Sequence, residues 1–269
     1  MSQTVLVTGA SSGIGAATAR LFHSHGFTVF GTSRNASNSA SSDFTMLPLD
    51  VTSDSSVRDC IDRILSQTGR IDILINNAGY TINGAIEETS LDEAKDQFET
   101  NFFGVVRTTK AVLPHMREAR SGRIINIGSL VGLVAVPYGA FYCATKFALE
   151  AYSESLWYEL QPFGIGVSLI EPGFVRTSIG HAARIAARAL SAYDGPRDRV
   201  IAAIKSGVDK GCSPEQVANS IFHAAISRNP RLRYRVGSDA VWLPRVRKAV
   251  PWNFFASGLR RQFALNAKS

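Results

Sequence analysis

The sequence has little cysteine. Its three residues, Cys60, Cys143 and Cys212, are odd in number and widely spaced, which excludes a disulfide framework and predicts reduced, intracellular thiols. The histidines show no metal-ligand spacing, so no metal centre is expected. No apolar run approaches the about 20 residues that span a bilayer. The start, Met1-Ser2-Gln3-Thr4, lacks a basic leader segment, so no secretory signal is expected and a cytoplasmic protein is. Acid is scarce in two places. None occurs between Gly26 and Ser42, and residues 228–269 hold ten Arg and Lys against the single acid Asp239. The other 227 residues hold 19 basic and 21 acidic side chains, so the net charge of +7 resides in the C-terminal region.

That basic region forms no regular stripe and contains no DNA-binding motif, which argues against a nucleic-acid partner. Its aromatic and proline residues, among them Trp242, Pro244, Pro251, Trp252, Phe254 and Phe255, suit packing, a solvated basic face on terminal helices, or peripheral contact with a membrane.

The chain of 269 residues, 45% hydrophobic and 19% charged, is large enough to bury a core without staples. Short β-branched runs at 5–8, 28–32, 45–48, 71–76, 123–127, 166–170 and 232–236 alternate with helix-length segments at 15–25, 55–67, 91–119, 140–161 and 214–228. Several runs are continuously apolar, as strands buried on both faces of a parallel sheet are. The alternation predicts one α/β domain over 1–269, a doubly wound parallel sheet of about seven strands with helices on both faces. Ser213-Pro214-Glu215-Gln216 is a helix start, and residues 35–42 read as an exposed loop.

Thr8-Gly9-Ala10-Ser11-Ser12-Gly13-Ile14-Gly15 links the first strand to the first helix. The glycines permit a tight turn and close approach of a phosphate, to which a helix N-terminus offers N–H groups and partial positive charge. Such a strand–turn–helix predicts a Rossmann-type nucleotide site. At the end of the second strand, Gly31-Thr32-Ser33-Arg34-Asn35 lacks the carboxylate that holds an NAD ribose. Arg34 instead offers a charged fork to a 2′-phosphate, so NADP(H) is the expected cofactor.

Tyr142 and Lys146 are one helical turn apart, on one face. A free phenol titrates near about 10; a nearby ammonium, together with an oxidised nicotinamide, would lower that and make Tyr142 a proton donor or acceptor. Ser129 follows the strand at 123–127, where open sheets place ligand groups, and its hydroxyl could hold a carbonyl oxygen. Asn76-Asn77-Ala78-Gly79 ends another strand on that edge, and Asn101 is a polar residue in a helical stretch.

In order and spacing, Thr8–Gly15, Asp50-Val51, Asn76–Gly79, Asn101, Ser129, Tyr142-x-x-x-Lys146 and Glu171-Pro172-Gly173-Phe174-Val175-Arg176-Thr177 resemble the short-chain dehydrogenase/reductase family. The resemblance implies a cofactor site formed by Gly9, Ser11, Ser12, Gly13, Ile14 and Gly15 in the turn and by Ser33 and Arg34. Asp50 and Val51 would flank the adenine, with Asn77, Ala78 and Gly79 lining the cleft. Lys146 would bind the nicotinamide ribose, Asn101 would hold a water in a proton relay to Tyr142, and Pro172, Gly173, Val175 and Thr177 would border the carboxamide. In this family an arginine at the place of Arg34 goes with NADP(H). A second basic residue, common before the middle glycine, is replaced by Ser12, so that preference rests on Arg34. The C-terminal region is more loosely similar to the 17β-hydroxysteroid and retinol dehydrogenases, which implies terminal helices over the substrate mouth. Members commonly form dimers or tetramers.

The substrate loop is expected at 174–212, with Ile179, Ile185, Leu190, Tyr193 and Ile201; Leu130, Leu133, Val134, Val136 and Tyr138 would add to a broad apolar cleft. His181, a lone loop histidine, reads as incidental. The expected activity is interconversion of a bulky hydrophobic carbonyl (steroid-, retinoid- or acyl-like) and its secondary alcohol. The competing readings are a non-catalytic NADP(H) sensor and a lipid-surface protein on the same fold.

Overall fold

A computed structural model of the chain describes residues 2–35, 43–177 and 183–266. Its strands are β1 (Thr4–Val7), β2 (Thr28–Ser33), β3 (Thr45–Pro48), β4 (Ile73–Asn76), β5 (Ile82–Asn83), β6 (Gly122–Ile127), β7 (Ile165–Pro172), β8 (Arg184–Ile185) and β9 (Arg233–Val236). Seven form a sheet ordered β3-β2-β1-β4-β6-β7-β9, parallel throughout. The expected doubly wound sheet is present, with ends shifted by one or two residues at most strands.

Alternation along the strands divides the core. Val5 and Val7 face one apolar layer and Leu6 the other, and Ile73, Leu74 and Ile75 repeat the pattern. The central strands β1 and β4 are thus buried on both faces, which is why their sequences read as continuous apolar runs, whereas edge strands β3 and β9 alternate or stand partly exposed. One layer is closed by α1 (Gly13–Ser24), whose Phe22 is fully buried. The other receives apolar residues of α2 (Asp54–Thr68), α4 (Gly104–Glu118) and α5 (Ala140–Leu160).

Local chemistry sets the helix starts. Ser53 accepts the Ser56 N–H at the head of α2. Ser90 and Glu93 form a capping box at α3 (Leu91–Phe98), and Ser213 and Gln216 do so at α7 (Pro214–Ile226), satisfying N–H groups that lack helical partners. The segment expected as one helix at 91–119 contains a π-helical turn, Glu99–Phe103, between α3 and α4. Such a turn adds one residue to the helical repeat and often marks a functional site.

The expected loop at 174–212 is largely structured. It contributes β8, which pairs in parallel with β5, and α6 (Asp194–Asp209). Ile179 and His181 lie outside the described residues, as does most of the loop expected at 35–42. The segment after β8 is anchored through Glu88, which is 1% exposed. Glu88 accepts N–H groups from Ala85 and Leu190, each at 2.9 Å, and pairs with Arg197 of α6. Burial alone would raise its pKa, but the two N–H donors and the guanidinium hold it below the usual carboxylate range. Two helices end the chain, α8 (Ser238–Ala249) and α9 (Trp252–Gln262).

Truncating Glu88 deprives the N–H groups of Ala85 and Leu190 of their acceptor and leaves the buried Arg197 with Asp194 as its remaining carboxylate. Glu88→Ala should cost about 3–5 kcal/mol, read as a lower urea midpoint; an unchanged midpoint would mean the ion pair does not anchor this segment.

Candidate active site

The strand order reverses between β1 and β4, and a crevice opens at such a point beyond the carboxyl ends of the strands. Side chains lock the two strand ends there. Thr8 Oγ1 accepts the N–H groups of Asn77 at 2.9 Å and Ala78 at 3.0 Å. Asn77 Nδ2 donates to the carbonyl oxygens of Thr8 at 2.9 Å and Gly9 at 3.0 Å. The backbones are so close that a Cβ on Gly9 would stand 2.9 Å from Ala78 Cα, and one on Gly15 would stand 2.3 Å from Gly9 O. Gly9 and Gly13 also take φ values of +68° and +55°, which L side chains rarely adopt. Beyond the turn α1 begins, with Ser12 as N-cap and no acid in its first turn, so its N-terminal partial charge is not neutralised by a neighbouring carboxylate.

Two groups at the end of β2 face the same edge question. Arg34 is exposed. The buried Ser33 hydroxyl has no hydrogen-bond partner among the described residues, an orphan that a ligand oxygen would satisfy. Desolvation raises the Asp50 pKa, but hydrogen bonds from Thr52 and the charges of Arg34 and Arg107 bring it below normal. Val51 packs on the backbone of Gly104, where a Cβ would lie 2.7 Å from Val51 Cγ2. A glycine cradle that no Cβ can enter, a helix N-terminus, an orphan hydroxyl and a guanidinium together fit a phosphorylated dinucleotide.

Of the four side chains expected to act in catalysis, Ser129, Tyr142 and Lys146 line one cavity with Ile14, Asn77 and Gly79. Ser129 caps a short helical turn at Leu130–Gly132, and its Oγ accepts the Val131 N–H at 3.3 Å. The Ser129 hydroxyl stands by the Tyr142 phenol and favours its ionised form. Lys146 donates to the Ile127 carbonyl at 2.8 Å and lies 5.7 Å from the Tyr142 ring centroid. Asn101 lies behind this wall, 1% exposed. Its Oδ1 accepts the Tyr80 N–H at 2.9 Å, and its Nδ2 donates to Tyr80 O at 2.9 Å and Thr145 Oγ1 at 3.3 Å. Thr145 Oγ1 in turn donates to the Tyr142 carbonyl at 2.7 Å. The Asn101 side chain therefore braces both Tyr80, which lines the cavity, and the helix that carries Tyr142.

The expected lowering of Tyr142 invokes Lys146 together with an oxidised nicotinamide; the protein's own groups alone act in the other direction. Burial pushes the Tyr142 phenol up to about 12; the neighbouring Cys143 adds to the rise, and only the Ser129 hydroxyl opposes it. Burial pushes Lys146 down to about 8. With the protein's own groups, then, the phenol keeps its proton at neutral pH and the lysine keeps its charge. One turn further along α5, Glu150 is raised to about 7 by burial and by repulsion from Glu171, against the pull of Arg233. Arg233 and Arg235 of β9 pair with Glu150, Glu154 and Glu171, so part of the C-terminal basicity neutralises buried acid.

Pro172, Gly173, Val175 and Thr177 also line the cavity, and Thr177 meets the glycine turn, with Cγ2 3.3 Å from where a Gly13 Cβ would lie. The strand end is pinned by Asp239, which sequence reasoning did not assign to the site. Its Oδ2 accepts the Phe174 N–H at 2.8 Å, and a Cβ on Gly173 would fall 2.0 Å from its Oδ1. Its signal was visible as the lone acid in a basic segment.

The cavity measures about 1340 Å³, counting the part open to solvent. Leu130 and Val136 line it as expected, but Val134 is buried beneath in a satellite core with Leu133 beside it. From the expected loop, Ile204 and Val208 of α6 face the cavity, whereas Ile185 is 57% exposed. Leu243 of α8, Leu259 of α9 and Phe263 complete the far wall.

Residues 3–187 match the family model of the short chain dehydrogenases. The chain is 41% identical over 257 residues to a 3-ketodihydrosphingosine reductase of Bacteroides thetaiotaomicron, covering 90% of this chain and 93% of that protein. It is 37% identical over 253 residues to human retinol dehydrogenase 8, covering 86% and 80%. The solved structure of ElxO with NADP bound superposes with a TM-score of 0.75 at 26% identity, covering 90% of this chain and 100% of that one. The fold, the motifs and these matches make the chain a member of the short chain dehydrogenase family of oxidoreductases.

Proposed function

We propose that the protein is an NADP(H)-dependent reductase that converts a bulky hydrophobic ketone into a secondary alcohol. The observation that carries this is a phenol, Tyr142, held protonated by burial and set with Ser129 and Lys146 in the wall of a large, mainly apolar cavity. Reduction needs a proton donor beside the carbonyl oxygen, and a phenol with a raised pKa is in the donating form across the neutral range.

The glycine turn and the start of α1 would hold the pyrophosphate, and Arg34 with Ser33 the ribose 2′-phosphate. Asp50 and Val51 would border the adenine, and Asn77, Ala78 and Gly79 would line the cleft. Lys146 would bond the nicotinamide ribose, and Pro172, Gly173, Val175 and Thr177 would border the carboxamide. When bound, the reduced nicotinamide supplies a hydride to the carbonyl carbon. Ser129 donates a hydrogen bond to the substrate oxygen and Tyr142 Oη gives it a proton, so charge developing on that oxygen is neutralised as it forms. The Lys146 ammonium favours the phenolate left behind. Asn101 keeps Tyr80 and α5 in place.

The substrate class follows from the walls. Leu130, Val136, Phe174, Ile204, Val208 and Leu259 offer contact to a long or polycyclic hydrocarbon and few polar partners. The likeness to a reductase of 3-ketodihydrosphingosine and to a retinol dehydrogenase supports a lipid-like ketone over a sugar or a small hydroxy acid. The ElxO complex supports the choice of NADP(H).

Tyr142→Phe should lower turnover of such a ketone by at least about 10²-fold while NADPH still binds, as followed by its fluorescence; near-normal turnover would overturn the assignment. Arg34→Ala should raise the KM for NADPH by about 10–100-fold, the worth of a charge-assisted phosphate contact, and leave kinetics with NADH nearly unchanged. Equal losses with both cofactors would place the selectivity elsewhere.

A further inference from the structure

The two terminal helices put some side chains into the site and leave others exposed. Inward, Leu243 and Leu259 wall the cavity, and Phe255 and Leu259 pack on the satellite core beside Leu130. Other side chains of these helices stand exposed: Trp242 is 61% exposed, Trp252 64% and Phe254 75%, and so is Val246, one turn from Trp242 on α8; the Trp252 ring lies 6.1 Å from that of the buried Phe255. Large aromatics this exposed lose the burial that normally justifies them, and together they mark a contact surface.

Their companions are cations. Arg233, Arg235 and Arg247 are occupied within the fold by carboxylates and the Leu133 carbonyl. Arg245, Lys248, Arg260 and Arg261 remain exposed on α8 and α9, with the Arg245 guanidinium 5.2 Å from the Trp242 ring centroid. The single acid of these helices, Asp239, is turned inward to the Phe174 N–H. The exposed side chains of α8 and α9 are therefore aromatic and positive, and neither helix offers an exposed acid among its described residues.

We propose that α8 and α9 dock the protein on an anionic lipid surface, with the cavity opening beside it. Indole and phenyl rings at the level of lipid headgroups, flanked by Arg and Lys, are the pattern of interfacial helices. Charge argues against a second copy of this chain as occupant: a two-fold contact would set this cationic face against itself. The exposed Gln262 lines the cavity at its rim, so an apolar ketone leaving the lipid need not cross bulk water. The use of that route rests on the hydrophobic-substrate reading above; the docking itself does not.

The full chain is sedimented with phosphatidylcholine vesicles, with and without phosphatidylglycerol, at low and high salt. Binding to the anionic vesicles that weakens with salt is expected. Arg245→Gln with Lys248→Gln should weaken it roughly tenfold or more, at the usual contribution per surface cation. Trp252→Ser with Phe254→Ser should abolish it, while NADPH binding and turnover of a short, water-soluble ketone stay unchanged. Failure of the wild-type chain to bind anionic vesicles, or binding untouched by the aromatic substitutions, overturns the proposal. So does sedimentation velocity showing a dimer that dissociates on those substitutions without any vesicle binding. Loss of soluble-ketone turnover in the wild type would instead refute the catalytic reading and leave the docking result standing.

Discussion

The site depends on how two neighbouring parallel strands part company. β1 and β4 lie side by side, and beyond their last residues the chain runs off on opposite sides of the sheet, which leaves backbone groups that neither strand can pair. Thr8 and Asn77 take those groups with their side chains. Their bonds draw the strand ends so close that Gly9 and Gly15 must lack a Cβ. The crevice is what remains outside this junction. Its floor is set by these four partly buried bonds of 2.9–3.0 Å, and α1 begins beside it.

Burial then sets the charge of what lines the crevice. One desolvated region raises the acid Tyr142 and lowers the base Lys146, so both groups move toward their uncharged forms. The hydroxyl of Ser129 stabilises the opposite state of Tyr142, giving the phenol a route to giving up its proton once an acceptor oxygen is present. The acids of the neighbouring elements are handled differently. Glu150 and Glu171 are met by arginines from β9, and Glu88 by Arg197 and two N–H donors. Glu88 is thus held ionised by its partners, whereas Glu150 is raised to about 7 even with Arg233 beside it.

What could be read from the sequence was what local chemistry dictates. The glycine turn, the Tyr142–Lys146 spacing, Ser129 at a strand end and Ser213 before a helix each depend on neighbours within a few residues. The central strands announced themselves because both faces of each are buried; β3 and β9 showed instead as short β-branched or aromatic runs at the sheet edges. The π-helical turn at Asn101 was not legible, since one extra residue in a helix barely alters its apolar period. Nor was the β5–β8 ladder, whose two-residue strands are too short to show alternation. The far wall escaped for another reason: Ile204 and Val208 face the cavity while Ile201 and Ile185 do not line it, a distinction set by helix phase and pairing rather than residue type. Asp239 acts on a turn 65 residues away, and no local pattern reports such a reach.

The Asp239 carboxylate makes the end of the chain part of the site's framework. The second residue of α8 holds the turn after β7 and fills the space where Gly173 would carry a side chain. The terminal helices therefore cannot be exchanged as a free module. A replacement tail could alter the cavity wall and the outer surface at will, but it would have to present a short acid at that one position. Variation in what these helices touch is thereby uncoupled from the geometry of the turn they secure, and a single carboxylate sets the boundary between the two.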